Sequence, residues 1–324
     1  MELKYQLFCL ISFLLSFLLF YLYTIYAGKI GFIDKAKKFN NPITPTSAGI
    51  ILYLNFLFFF LIFKNNLINI FPNNFIISFA CVSILVLVSL IDDVKPIDPK
   101  IRLFFQIICV YGSLSSIPIY QMPLTLKASI LFSLLVWVYI INITNFTDGS
   151  DGFLSINSIF VFLNIIFINY YLKLDLFSNY IALSLLPSLF VFTFLFNRPT
   201  AKLYLGDAGS VLIGFINGYL FLEILISDKL NLAISLLIYP IIECSIALIK
   251  KTFHGYLPWV DTSNYSFLQP TIKKNKNKIF VFYVNIIFNI INSCLIVFQI
   301  IYGWHFIILN FLITLITLKV YEKK

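Results

Sequence analysis

The feature that most limits this chain is its succession of long apolar runs. Eleven of them are visible, at roughly 6–27, 47–63, 74–91, 103–120, 127–144, 154–172, 179–196, 209–226, 230–249, 279–301 and 303–320. Most approach the length that crosses the hydrocarbon of a bilayer. Backbone in hydrocarbon has no water to bond, so such runs must close their hydrogen bonds internally, as helices. The expected fold is an all-α polytopic integral membrane protein with about eleven transmembrane helices. Composition agrees, with 60% hydrophobic and 11% charged residues among 324, more apolar surface than a water-soluble domain needs. The first run is too long for a signal-peptide core, and no small-residue cleavage site follows it, so it reads as a span. No separate soluble domain and no internal repeat is visible, and 1–324 reads as a single transmembrane domain.

The net charge of +9 raises the question of a nucleic-acid partner, and its distribution answers no. Eleven spans create loops alternating between two sides. One side holds 28–46, 92–102, 145–153, 197–208, 250–278 and the C-terminus, with 18 of the 23 Lys and Arg. Such asymmetry across short loops marks the cytoplasmic side, which puts the N-terminus outside and the C-terminus inside. The lysines at 273, 274, 276 and 278 read as topological anchors of the last inner loop. The five cysteines (Cys9, Cys81, Cys109, Cys244, Cys294) all fall in spans, with neither disulfide nor metal spacing, and read as packing residues.

Acids at the edges of the spans carry the functional signal. Asp92 and Asp93 close the third span in LIDDVKPID, Asp148 and Asp151 follow the fifth in NITNFTDGSDGF (142–153), and Asp207 opens the eighth in LYLGDAGS. All five fall on the predicted inner side, and carboxylates near hydrocarbon are costly unless paired or metal-bound. Taken singly, Asp207 also suits a helix N-cap, and Asp92 and Asp93 a solvated helix end. Asn142, Asn145, Asp148 and Asp151 recur every third residue, while Gly149 and Gly152 loosen the backbone among them. Carboxylate and amide oxygens without a His/Cys set suit Mg²⁺, or Mn²⁺, rather than zinc. Such a cation at a membrane face points to phosphate chemistry.

Taken together, four motifs in order resemble those of one family, the polyprenyl-phosphate N-acetylhexosamine-1-phosphate transferases. They are TPTSAGI (44–50), IDDVKPI (91–97), NITNFTDGSDGF and LYLGDAGSVLIG (203–214). The resemblance implies a Mg²⁺-dependent transfer of a sugar 1-phosphate from a UDP-N-acetyl sugar to undecaprenyl phosphate, with release of UMP. It also implies a bacterial inner membrane location, an active site in the inner loops and a homodimer. By position, Asp207 is the implied metal ligand, helped by Asn145. Asp92 and Asp93 position lipid phosphate or metal, or take a proton. Asp148 and Asp151 serve as nucleophile, base or nucleotide contact. Asn142, Asn145, Thr46 and Asn264 contact substrate.

The chain also departs from that pattern. Many members carry an Asp-Arg-Ser-His-x-His-His-Leu element in the last inner loop. Here the run is Asp261-Thr-Ser-Asn-Tyr-Ser-Phe-Leu268, with Thr262 for the Arg and Asn264, Ser266 and Phe267 for the histidines. His254 lies upstream and reads as an ordinary interfacial histidine. The departure favours a branch that initiates a surface polysaccharide, such as O-antigen or capsule, over the peptidoglycan enzyme. GlcNAc, GalNAc and 6-deoxy N-acetyl sugars all fit as donors. Two other readings stand beside it. One is a catalytically silent relative that binds polyprenyl phosphate. The other is a polytopic transporter, which would need acids near the midplane.

Overall fold

In the computed structural model, residues 2–33, 44–63, 74–122, 125–174, 177–255, 265–268, 270 and 278–323 are described. Among the described residues, twelve α-helices carry the architecture: α1 (Glu2–Ile30), α2 (Gly49–Phe63), α3 (Phe75–Val94), α4 (Pro99–Ser113), α5 (Leu126–Phe146), α6 (Phe153–Leu172), α7 (Phe177–Val191), α8 (Gly206–Ile226), α9 (Leu230–Leu236), α10 (Ile238–Phe253), α11 (Lys278–Tyr302) and α12 (Phe306–Lys323). No strand occurs among the described residues; one isolated bridge pairs Ile33 with Pro45.

Each predicted apolar run contains helix, but the expectation of about eleven full spans is only partly met. Among the described residues, seven helices are long and apolar enough to cross a bilayer, or eight if the bent pair α9–α10 counts as one span. Helix α2 has 15 residues, which at ~1.5 Å per residue falls short of a ~30 Å hydrocarbon core. Helix α4 also has 15 residues and starts at Pro99 rather than 103, with Asp98 capping it by accepting from Lys100 N at 2.8 Å. The ninth run is broken at Leu237 by a bend of 74°. Pro240 lies in the first turn of α10, where a missing N–H costs least.

Helix α8 is the most buried of the apolar helices. Small residues let its neighbours close on it, as in membrane bundles generally. A Cβ on Gly218 would collide with the Trp137 ring, and a Cβ on Gly49 with the backbone of Gly209. Trp137 Nε1 donates to Phe215 O at 2.8 Å, fixing α5 to α8. Helix α11 is held by buried amides: Asn289 Nδ2 donates to Asn157 Oδ1 at 2.6 Å, and Gln299 Nε2 to Ser235 Oγ at 2.9 Å. Asn310 of α12 donates to Asn292 Oδ1 at 2.6 Å. Such bonds in bilayers are worth ~1 kcal/mol each. Asn289→Leu is accordingly expected to destabilise the detergent-solubilised protein by about 1 kcal/mol, read from its unfolding transition.

Hydrogen bonds bring the C-terminal end of α3 to the starts of α4 and α8, the C-terminal end of α5 to the start of α8, and Asn197, just after α7, to the start of α6. These ends gather the polar motifs.

Candidate active site

The centre is built where α3 meets α8. Asp93 accepts from the backbone N–H of Asp207 at 3.0 Å and of Ala208 at 3.4 Å, and from Ser47 Oγ at 2.6 Å. A carboxylate from another helix thus caps the free N–H groups that open α8. Gly206, at φ 73°, makes the approach feasible: a Cβ there would lie 2.6 Å from Ser47 N and 2.7 Å from Asp93 Oδ2. The TPTSAGI segment docks by main chain, through Ala48 N to Tyr204 O (3.1 Å), Gly49 N to Leu205 O (2.9 Å) and Tyr204 N to Pro45 O (2.8 Å). Thr46 is buried, and Tyr23 OH donates to its carbonyl at 2.8 Å. Its neighbour Ser47 is the residue that reaches Asp93. Ser47→Ala is expected to cost about 1.5 kcal/mol of stability, as for a hydrogen bond to a charged group, measured by thermal unfolding.

Asp92 faces the other way. Its Oδ1 accepts from Ile97 N at 2.6 Å, closing the α3–α4 turn, and its Oδ2 accepts from Arg102 Nη1 at 2.7 Å. The same Nη1 donates to Asp207 Oδ2 at 2.9 Å. Arg102 therefore joins the ends of α3, α4 and α8. Asn145 Oδ1 accepts from Ser210 Oγ at 3.0 Å. Asn142 Nδ2 donates to Gln106 Oε1 and to Val138 O, both at 2.8 Å.

The five acids form two groups with Asp148 between them. Asp92, Asp93 and Asp207 gather around Arg102 and the start of α8. Asp151 is buried and pairs with Lys278 Nζ at 2.8 and 3.0 Å, while Ala201 N donates to it at 3.1 Å. Lys278, read from sequence as a topological anchor, is thus an ion-pair partner across the bundle end. Asp148 is partly buried in the turn after α5. Desolvation, then the charges of Asp207, Asp93 and Asp151, push its pKa well above the usual carboxylate range. Gly152, at φ 73°, starts α6 with its N–H bonded to Asn197 Oδ1 at 2.7 Å.

Part of the loop after α10, 265–268, packs against the start of α6 and the turn after α5. Phe267 stacks on Phe153 with centroids 4.4 Å apart, and Phe267 and Leu268 face Gly149. Ser266 donates through both N–H and Oγ to the Glu243 carboxylate in short contacts. Two of the positions that hold histidine in the resembled element are therefore turned into packing and a structural hydrogen bond. Asn264 and the lysines at 273, 274 and 276 lie outside the described residues. His254 is exposed at the end of α10, its ring Nδ1 2.6 Å from Lys250 O.

A cavity of about 400 Å³ opens beside the acids. Its lining includes the polar Arg102, Asp207, Asn142 and Asn145 and the apolar Leu85, Val88, Leu103 and Val211. Among the described residues no three His, Cys, Asp or Glu form a metal cage. Mg²⁺ seldom needs one, being held by one or two carboxylates plus waters and substrate phosphates. Asp92 and Asp207 already converge on one cationic nitrogen with the Asn145 amide nearby, an all-oxygen set that fits such an ion. Sequence reasoning missed Arg102, Gln106 and Glu243. The available signals were an arginine opening a span, one of only two in the chain, and an acid inside an apolar run.

Comparison with known proteins bears on the same elements. The sequence model for Glycosyl transferase family 4 matches residues 75–225, from α3 through α8. The phospho-N-acetylmuramoyl-pentapeptide-transferase of Aliarcobacter butzleri is 26% identical over 239 residues, covering 57% of this chain and 65% of that protein. The undecaprenyl-phosphate alpha-N-acetylglucosaminyl 1-phosphate transferase of Yersinia pestis is 28% identical over 213 residues, covering 61% and 56%. A phospho-N-acetylmuramoyl-pentapeptide-transferase of Helicobacter pylori is 32% identical over 124 residues, covering 34% of each. The chain thus spans no more than 65% of the length of these relatives.

Proposed function

We propose that this chain, a member of the glycosyl transferase family 4 superfamily of polyprenyl-phosphate sugar-1-phosphate transferases, moves a sugar 1-phosphate from a UDP-N-acetylhexosamine to undecaprenyl phosphate and releases UMP. The donor is GlcNAc or a related 6-deoxy N-acetyl sugar, and the product starts a lipid-linked surface polysaccharide at the cytoplasmic face of a bacterial inner membrane. The observation that carries this reading is the cavity, which is lined both by apolar side chains of α3, α4 and α8 and by Arg102, Asp207, Asn142 and Asn145. Such a mixed lining offers apolar contact to an isoprenoid and polar contact to its phosphate head.

An oxygen of the lipid phosphate bonds to the β-phosphorus of the UDP-sugar, the bond from that phosphorus to the bridging oxygen breaks, and UMP leaves with that oxygen. Direct attack is the simpler route, because a phosphate oxygen is already a competent nucleophile. Leu85, Val88, Leu103 and Val211 seat the chain of the acceptor. Arg102 and Asn142 orient its phosphate. Asp148, with its raised pKa, is suited to hold a proton near the reacting phosphates. Asp92, Asp207 and Asn145 would hold Mg²⁺, or Mn²⁺, which supplies charge neutralisation of the phosphoryl oxygens. Asp93 positions α8 rather than touching substrate, and Asp151 with Lys278 braces the turn after α5.

A second reading, a silent relative that binds polyprenyl phosphate, is favoured by the structural engagement of Ser266 and Phe267. One experiment separates the two. Purified protein in detergent receives undecaprenyl phosphate, Mg²⁺ and a panel of UDP-N-acetyl sugars, and UMP release is followed. The proposal expects UMP from one or a few donors, suppressed by EDTA. Folded protein that binds the lipid and releases no UMP from any donor would establish the silent reading.

A further inference from the structure

We propose that Arg102 is a built-in counter-cation: it holds Asp92 and Asp207 together until a divalent cation displaces it, and then turns to an anionic phosphate in the adjoining cavity. The inference rests on the reading above in one respect, that these two acids hold the metal.

The geometry makes the two states exclusive. One atom, Arg102 Nη1, contacts Oδ2 of Asp92 at 2.7 Å and Oδ2 of Asp207 at 2.9 Å. A Mg²⁺ or Mn²⁺ ion ligated by those oxygens, at about 2.1 Å, would need the space that Nη1 fills. A guanidinium and a divalent ion in one bay also repel each other. The arginine cannot simply be deprotonated to make room.

The released side chain has a defined place to go. Arg102 lines the cavity, and its side chain is 33% exposed. Among the described residues every hydrogen bond its side chain makes runs through Nη1, and Nε and Nη2 have no acceptor. A guanidinium carries five N–H donors in a planar fork that matches phosphate oxygens. Asn142 and Gln106 line the same cavity. Phosphate binding to the free donors draws Arg102 away from the acids, and metal binding pushes it away. By linkage each ligand must then strengthen the other, so the site charges its acids with metal only as it acquires an anion.

The test uses the full-length, metal-free protein in detergent, with Mn²⁺ binding followed by loss of the free-ion signal in electron paramagnetic resonance. Mn²⁺ is titrated alone, with inorganic phosphate, and with dodecyl phosphate below its micellar concentration. Arg102→Gln is expected to bind Mn²⁺ alone at least about fivefold more tightly than the native protein, because a competitor has been removed. Dodecyl phosphate is expected to tighten Mn²⁺ binding in the native protein by about fivefold more than in Arg102→Gln, where only direct ion–phosphate contact remains. A larger effect with dodecyl phosphate than with inorganic phosphate identifies a lipid-borne headgroup, and equal effects a free phosphate. Arg102→Lys, with a cation that does not fork, is expected to fall between the two. Arg102→Gln binding Mn²⁺ no more tightly than the native protein, while Asp207→Asn binds it far more weakly, would overturn the inference and leave the metal site standing. Asp207→Asn binding as tightly as the native protein would overturn both.

Discussion

Asp207→Asn is expected to lower the rate of UMP release by about 100- to 1,000-fold, the range seen when one preorganised electrostatic group is removed from a reaction that develops charge. The substitution leaves the fold of the site intact. Asp207 holds Asp93 through its main-chain N–H, at 3.0 Å, which an asparagine retains. The new side chain has the same size and still offers an oxygen to Arg102, which now stands 2.9 Å from Oδ2. The loss is therefore of charge in a cavity lined by the same residue, and not of the start of α8. Initial rates and an unfolding curve on one preparation check it. A rate within about fivefold of native, with unchanged unfolding, would take Asp207 out of the chemistry.

Lys278→Met is expected to have the largest effect on stability, about 3 kcal/mol, because it leaves a buried carboxylate without its counter-charge. Asp151 has a side chain only 2% exposed, and Lys278 is the ammonium that bonds both its oxygens. Among the described residues, what remains is one N–H from Ala201 at 3.1 Å. Pairing Lys278→Met with Asp151→Asn removes the orphaned charge, and the double variant is expected to regain more than half of the loss. Chemical unfolding in detergent measures both. A single variant within about 0.5 kcal/mol of native, the usual range for a surface change, would mean the pair is solvated and contributes little.

The apolar runs made the helices legible from sequence alone, because hydrocarbon leaves backbone one local way to close its hydrogen bonds. The acids were legible for a related reason: Asp92, Asp93 and Asp207 stand at span edges where an unpaired charge is costly. Their partners were not. Arg102 is 105 residues from Asp207, and Lys278 is 127 from Asp151, so both read as topological charges until the bundle brings them together. Asp93 could not be told from Asp92 in the doublet. One fixes the start of α8 through two backbone N–H groups, and the other meets Arg102. The bend at Leu237 was hidden in a continuous apolar run, although Pro240 was its available signal. Glu243 was passed over inside that run because its partner, Ser266, lies in a loop 23 residues away.

In the proposed reaction, phosphate travels with the sugar onto a lipid held beside Asp207 and Arg102. The most direct measurement uses a UDP-N-acetyl sugar radiolabelled at the β-phosphorus, undecaprenyl phosphate and Mg²⁺, followed by partition of the products between butanol and water. The account predicts label in the butanol phase, in a diphosphate-linked lipid of matching mass, with unlabelled UMP left in water. Label that stays in water as UDP while sugar appears on the lipid would contradict it, since the chain would then transfer a sugar and not a sugar phosphate.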